Sequence, residues 1–162
     1  MLPLPRVAIG TVQPEVDFRA ILWAVIEAFR QRGLQVQSFL SRACFATYHG
    51  SATASGRNPR HLDSWLMSRE LCCELFVRNA QSCDLAVVQG KFAQGLTEKN
   101  GTGGSLDTLC EWLDLPRMAT LDAPRIECSG LPDRPEQLDA VLLDRVADGR
   151  HLARLTASLE AR

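Results

Sequence analysis

Arg6-Val7-Ala8-Ile9-Gly10-Thr11-Val12-Gln13-Pro14-Glu15-Val16-Asp17-Phe18-Arg19 reads as a buried strand, a turn and the start of an amphipathic helix. In an α/β protein a phosphate-binding loop sits at this point, because backbone N–H groups and a helix N-terminus converge there on an anion. Such a loop needs G-x-x-x-x-G-K-[ST]. Here Gly10 and Thr11 open the turn, but Val16-Asp17-Phe18 stand where Gly-Lys-Ser/Thr should be. The position suits a phosphate and the chemistry does not.

Working outward, Val7–Val12 is a short apolar run of the kind found in central parallel strands. Phe18, Ile21, Leu22, Val25, Ile26 and Phe29 fall at helical spacing, and Gly33 suits the helix C-terminus. Leu34–Phe39 follows as a second strand, so the opening is a βαβ unit with a right-handed crossover. Ser41 to Arg60 is rich in Ser, Thr, Ala, Gly and Arg and reads as loop with a short helical piece. A helix runs from the region of Asp63 or Ser64, either of which can cap it, to about Asn79. Asp84–Gln89 is a third strand, and Gly90 to Gly104 a long glycine-bearing loop at its carboxyl end. Ser105 caps the next helix, Arg117–Leu121 is a strand, and the proline-bearing Asp122–Pro135 reads as a linker. Val141–Val146 is the last strand, with Leu152, Leu155 and Leu159 marking a closing helix. The alternation predicts a single α/β domain over residues 1–162: three α/β/α layers on a mostly parallel, Rossmann-like sheet.

Size and composition bound the rest. A chain of 162 residues, 46% apolar and 23% charged, suits one soluble globular domain. A net charge of -1 gives no electrostatic reason to expect nucleic acid or an anionic membrane as partner. No run of about 18 apolar residues exists to span a bilayer. The N-terminus lacks a basic start followed by a long apolar stretch, which points to the cytoplasm. The six cysteines form no C-x-x-C and the three histidines are scattered, so no metal site is expected. Buried free thiols are expected instead, Cys72-Cys73 among them.

Four further stretches carry a family resemblance. They are Tyr48-His49 with Ala54-Ser55-Gly56-Arg57-Asn58-Pro59-Arg60-His61-Leu62-Asp63-Ser64-Trp65-Leu66-Met67; Cys83-Asp84-Leu85-Ala86-Val87-Val88-Gln89-Gly90; Gly103-Gly104-Ser105-Leu106-Asp107; and Val141-Leu142-Leu143-Asp144-Arg145-Val146. In order, these resemble H-x-x-x-x-G-R-x-x-x-N-L-D-x-W-M, D-L-x-x-V-E-G, G-S-T-A and G-V-I-L-N-R-V of the synthetase domain of cobyrinic acid a,c-diamide synthases. That family belongs with dethiobiotin synthetases and related P-loop ATPases. The resemblance implies a P-loop NTPase-like fold and ATP-dependent amidation of a carboxylate in cobalamin biosynthesis. It also implies that a glutamine amidotransferase domain follows; none is found within these residues.

The departures from the family fall on its catalytic positions. Asp17 occupies the place of the loop lysine, and Phe18 that of the hydroxyl that holds magnesium. Two unit charges about 4 Å apart at an effective dielectric near 20 interact by about 4 kcal/mol, so reversing one turns that attraction into comparable repulsion of a phosphate. Pro14 removes a backbone donor and Val16 replaces a glycine. The family's acidic segment falls in Ser41–Ala46, with Arg42 and Phe45 near its acid positions. The strand-end glutamate is Gln89, and the base-reading asparagine is Asp144.

His49, Arg57, Asp63 and Trp65 match the substrate side of the motif. They make either a retained pocket for an anionic or amide-bearing ligand, with Arg57 as a carboxylate fork and Gln89 and Ser105 nearby, or a structural set. In the structural set Asp63 caps a helix, Trp65 fills core and Arg57 is a loop residue; this is the preferred reading. Glu15 and Asp17 suit the first turn of a helix, where the dipole favours acids, better than paired acid–base catalysis. Lys91 reads as a loop charge.

The resulting expectation is a catalytically degenerate homologue with no cofactor. It acts by binding, regulation or assembly, as a homodimer, with an intact family member, or on a small molecule. The alternative is an ATP- and magnesium-dependent carboxylate–amine ligase; a small-molecule sensor is a third reading.

Overall fold

The structure, a computed structural model, describes residues 4–13, 16–42, 48–93, 105–132 and 137–161. Within them, strands β1 (Arg6–Thr11), β2 (Val36–Leu40), β3 (Arg60–His61), β4 (Leu85–Lys91), β5 (Arg117–Asp122) and β6 (Ala140–Asp144) form one sheet in the order β3-β2-β4-β1-β5-β6. Every pairing is parallel. The helices are α1 (Arg19–Gln31), α2 (Tyr48–Ser55), α3 (Arg69–Ala80), α4 (Leu106–Leu113), α5 (Ala123–Ser129) and α6 (Gly149–Glu160). This is the expected α/β architecture, with the sheet parallel throughout.

The period of two along the strands builds the layers. Ile9 and Val87 pack with Phe18, Leu22, Ile26 and Val36 beneath α1. The alternate residues Ala8, Ala86 and Val88 join Phe39, Phe76, Leu106, Leu109 and Leu155 on the opposite face, beneath α3, α4 and α6. Both faces are covered, which is why the strands read as unbroken apolar runs. Against α1, α2 packs closely: a Cβ on Gly50 would lie 2.1 Å from the Trp23 ring.

Several boundaries differ from the sequence reading. The helix expected from Asp63 begins at Arg69, where the Ser68 hydroxyl accepts the Leu71 N–H at 3.3 Å. Asp63 instead closes the turn after β3, accepting the N–H groups of Trp65 at 3.0 Å and Leu66 at 3.4 Å. Trp65 is 65% exposed, so it does not fill core. The first part of the expected linker is α5, which has a proline in its first turn, where a missing N–H costs nothing. The two-residue β3 was too short to show a period. Gly33 closes α1 as expected, at φ +84°. Ser105 caps α4, accepting the Thr108 N–H at 3.3 Å.

One buried ion pair ties the sheet to the loop after β4. Arg117 Nη1 lies 3.8 Å from Asp107 Oδ1, with the two side chains 8% and 9% exposed. The other Asp107 oxygen accepts the Ala93 N–H at 2.7 Å. Arg117→Ala would strand that carboxylate in the core, and the expected loss is about 3–5 kcal/mol, read by urea denaturation. Burial pushes the neighbouring Cys110 thiol up to about 12, whereas Cys128 is exposed. At pH 8, iodoacetamide should alkylate Cys128 and spare Cys110 in the folded protein, as read by peptide mass spectrometry.

Candidate functional site

Strands β1 and β4 lie side by side, with Gly10 opposite Gly90 and Thr11 opposite Lys91. From β1 the chain runs to α1 and β2 on one side; from β4 it runs to α4 and β5 on the other. This reversal is a topological switch point, and the crevice outside the carboxyl ends of such strands is where open α/β sheets bind ligands. A crevice of about 400 Å³ lies there, lined by the approach to α1, the end of β2 and the end of β4.

The two glycines permit the close approach. A Cβ on Gly10 would lie 2.7 Å from the Gly90 carbonyl oxygen and 2.7 Å from a Leu106 methyl group. One on Gly90 would lie 2.0 Å from Ser41 Oγ. The room beside both glycines is therefore taken by protein side chains. Thr11 is buried, and its hydroxyl accepts the Gln13 N–H at 3.1 Å. Gln13 in turn clasps the end of β5. Its Nε2 donates to the Asp122 carbonyl at 3.3 Å, and its Oε1 accepts the Asp122 N–H at 2.6 Å.

Asp17 lines the crevice two residues ahead of the first residue of α1, outside the first turn expected for it. Its carboxylate accepts both Nε and Nη2 of Arg19, at 2.6 and 2.5 Å, and the Arg19 N–H at 3.1 Å. These bonds from Arg19 hold its carboxyl below the usual range. Phe18 is buried among Ile9, Leu22 and Val87. Gln89 is buried at the end of β4, and its Nε2 donates to Ser51 Oγ at 2.9 Å. The same Ser51 oxygen accepts the Trp23 indole N–H at 3.2 Å. Arg42 and Lys91 bring positive charge to the crevice wall.

Other positions singled out from the sequence lie elsewhere. Arg57 donates to the Ser82 carbonyl at 2.8 Å and the Ser82 hydroxyl at 2.9 Å, in the turn ahead of β4 and so at the opposite end of the sheet. Asp63 sits beyond the edge strand β3, and Ser105 is engaged as a helix cap. Asp144 ends β6, two strands from β1, and accepts the Arg145 N–H at 2.8 Å. Glu15, the side chain of His49, residues 43–47 and the glycine-bearing segment 94–104 lie outside the described residues. Sequence reading missed Gln13, Trp23 and Ser51, which act through partners distant in the chain, and Arg19, which acts on a carboxylate two residues away.

A magnesium ion held by a phosphate loop needs an oxygen from the loop and an acid from a strand end. Phe18 has no oxygen to give, Gln89 is neutral and bound to Ser51, and the Asp17 oxygens are bound to Arg19. The described residues do not fit that ion. Among them no three His, Cys, Asp or Glu side chains converge, and no helix is long and apolar enough to cross a membrane.

Fold and crevice together define the class: a P-loop NTPase-like α/β domain. Comparison with known proteins then gives the lineage. No family model matches the chain. Cobyrinate a,c-diamide synthase of Archaeoglobus fulgidus is 26% identical over 98% of the chain and 37% of its own length. The enzyme of the same name from Leptospira interrogans is 29% identical over 75% of the chain and 27% of its own length. Hydrogenobyrinate a,c-diamide synthase of Streptomyces coelicolor is 27% identical over 98% and 34%. The chain is a homologue of the a,c-diamide synthases and spans about a third of the length of the curated relatives it matches.

The Gln89 contact can be tested directly. Gln89→Glu removes the donor to Ser51 and places a carboxylate in a buried position. The expected cost is about 1–3 kcal/mol at pH 7. Burial raises the introduced group's folded-state pKa, so the deficit should shrink as pH falls toward about 4 and the carboxyl is protonated in both states. Urea melts of both proteins at pH 7 and pH 4 would read this; an equal deficit at the two values would contradict it.

Proposed function

We propose that this chain is a catalytically degenerate homologue of the synthetase domain of the a,c-diamide synthases. In this reading it is a cytoplasmic protein of cobalamin biosynthesis that acts by binding, regulation or assembly and hydrolyses no nucleotide. The observation that carries the reading is the state of the crevice at the switch point. A phosphate loop works by presenting unpaired N–H donors and a lysine to an anion. At this crevice an aspartate is bonded to its own arginine, and the amides of Gln13 and Arg19 are already bonded to Thr11 and Asp17 side-chain oxygens. The metal-binding hydroxyl is replaced by a core phenylalanine.

A second reading, an ATP-dependent carboxylate–amine ligase, draws on one specific feature. Arg42 and Lys91 leave the crevice wall basic, as an anionic substrate would need.

Calorimetric titration of the purified chain with ATP, ADP and GTP, each with magnesium, separates the two. The degenerate reading expects no saturable heat at millimolar nucleotide and no release of phosphate. Magnesium-dependent binding, together with ATP turnover that is lost on unfolding, would overturn it and favour the ligase.

A further inference from the structure

Strands β5 and β6 lie in register, with Ala119 opposite Val141 and Leu121 opposite Leu143. Opposed residues of neighbouring strands point to the same face of a sheet, here the face that α6 covers. Ala119 and Leu121 are buried on it, whereas Val141 is 37% exposed and Leu152 on α6 is 46% exposed. The helix therefore does not close over its own strand. Between them lies a largely aliphatic groove of about 640 Å³, walled by Val141, Leu143, Leu152 and Leu159 among others. Protein interiors are packed to the density of organic crystals, and a space of this size is in the range that holds a small molecule.

Charge is confined to one end of this groove. Residues 145–148 turn the chain from β6 back into α6. A strand of 5 residues spans about 17 Å and a helix of 12 residues about 18 Å, so the last turn of α6 returns to the start of β6. Glu160 thus comes back to the end at which Asp139 stands. Both are exposed, and among the described residues that line the groove they carry the only charges. Asp139 is fixed at this mouth, because its Oδ2 accepts the Arg117 N–H at 2.7 Å. We propose that the groove binds an aliphatic amine, with its chain along Val141 and Leu143 and its ammonium group between Asp139 and Glu160. A carboxylate or phosphate head would meet two like charges there, and a neutral chain would leave both acids without a partner. The groove shares no lining residue with the crevice at the switch point, so the inference stands apart from whether nucleotide binds there.

Calorimetric titration of the full chain with decylammonium, below its micelle concentration, should show one saturable site. Each methylene withdrawn from apolar contact costs about fourfold, so octylammonium should bind roughly fifteenfold more weakly. Decanoate should bind at least about tenfold more weakly than decylammonium, and salt should narrow that gap. Val141→Trp fills the groove from an exposed strand position, where an aromatic residue is favoured. It should keep the circular dichroism of the parent and lose decylammonium binding. Asp139→Asn combined with Glu160→Gln removes both charges and keeps an acceptor for the Arg117 N–H. This double variant should bind decylammonium and decanoate within about threefold of each other; both of its changes are at exposed positions, so it carries the test if Val141→Trp does not fold. The proposal is overturned by the absence of saturable decylammonium binding, by equal binding of decanoate to the parent, by undiminished binding in folded Val141→Trp, or by an unchanged head-group preference in the double variant. It is also overturned if light scattering gives twice 17.9 kDa for the parent and 17.9 kDa for Val141→Trp, which would assign the groove to a second copy of the chain.

Discussion

The close approach of β1 and β4 at their carboxyl ends is the contact on which the rest of this structure depends. These two strands sit at the centre of the order β3-β2-β4-β1-β5-β6 and send the chain away in opposite directions. Their pairing therefore creates the crevice and decides which helices cover which face. Gly10 opposite Gly90 permits it, because a side-chain carbon at either position would meet backbone, Leu106 or Ser41 at well below contact distance. Once the pair is closed, Leu106 over Gly10 fixes the start of α4, and Ser41 over Gly90 fixes the exit of β2. The Ser41 N–H donates to the Gln89 carbonyl at 2.9 Å and continues the β2–β4 ladder past the last strand residue.

The residues around the crevice form a consistent set of internal partners. Asp17 has Arg19, Gln89 has Ser51 and through it Trp23, and Gln13 has both backbone groups of Asp122. Each bond joins the crevice to an element that is itself anchored in the core. Trp23 lies on α1 and Ser51 on α2, so the Gln89 amide links β4 to both helices of one layer. Buried polar groups are held this way because an unpaired one costs about 1–3 kcal/mol.

Legibility followed range. β1, α1, β2, β4 and β5 could be read because burial on both faces writes itself as apolar runs, and one-sided burial as helical spacing. The three-layer class followed from their alternation. β3 could not be read, since two residues carry no period, and α5 was hidden by Pro124, a residue that breaks helices in the interior but opens them in the first turn. In the crevice, Asp17 and Phe18 could be set against a phosphate loop from the sequence because that loop is a local stretch of chain. For Arg57 the motif left a ligand pocket open beside the preferred loop-residue reading, and tertiary structure carries its guanidinium to Ser82 at the other end of the sheet. Trp65 was assigned to the core on hydrophobicity, a rule that runs one way only, since much of any protein surface is apolar. The Gln89–Ser51–Trp23 chain joins residues from three elements and has no sequence signature.

Under the proposed reading, the charge at Asp17 accounts for how this turn folds without an anion. A phosphate loop is a cluster of N–H donors and helix-terminal positive potential with nothing of its own to satisfy them, and the bound anion supplies the missing charge. Asp17 brings a carboxylate to the same place from within the chain, two residues ahead of the amide it accepts. Arg19 then balances the carboxylate, so the approach to α1 is locally neutral rather than starved of negative charge. In the proposed reading, an aspartate at the place of the loop lysine is therefore more than the loss of a phosphate ligand. Under the proposed reading it substitutes an internal anion for an external one, and the helix start keeps its electrostatic complement at every nucleotide concentration.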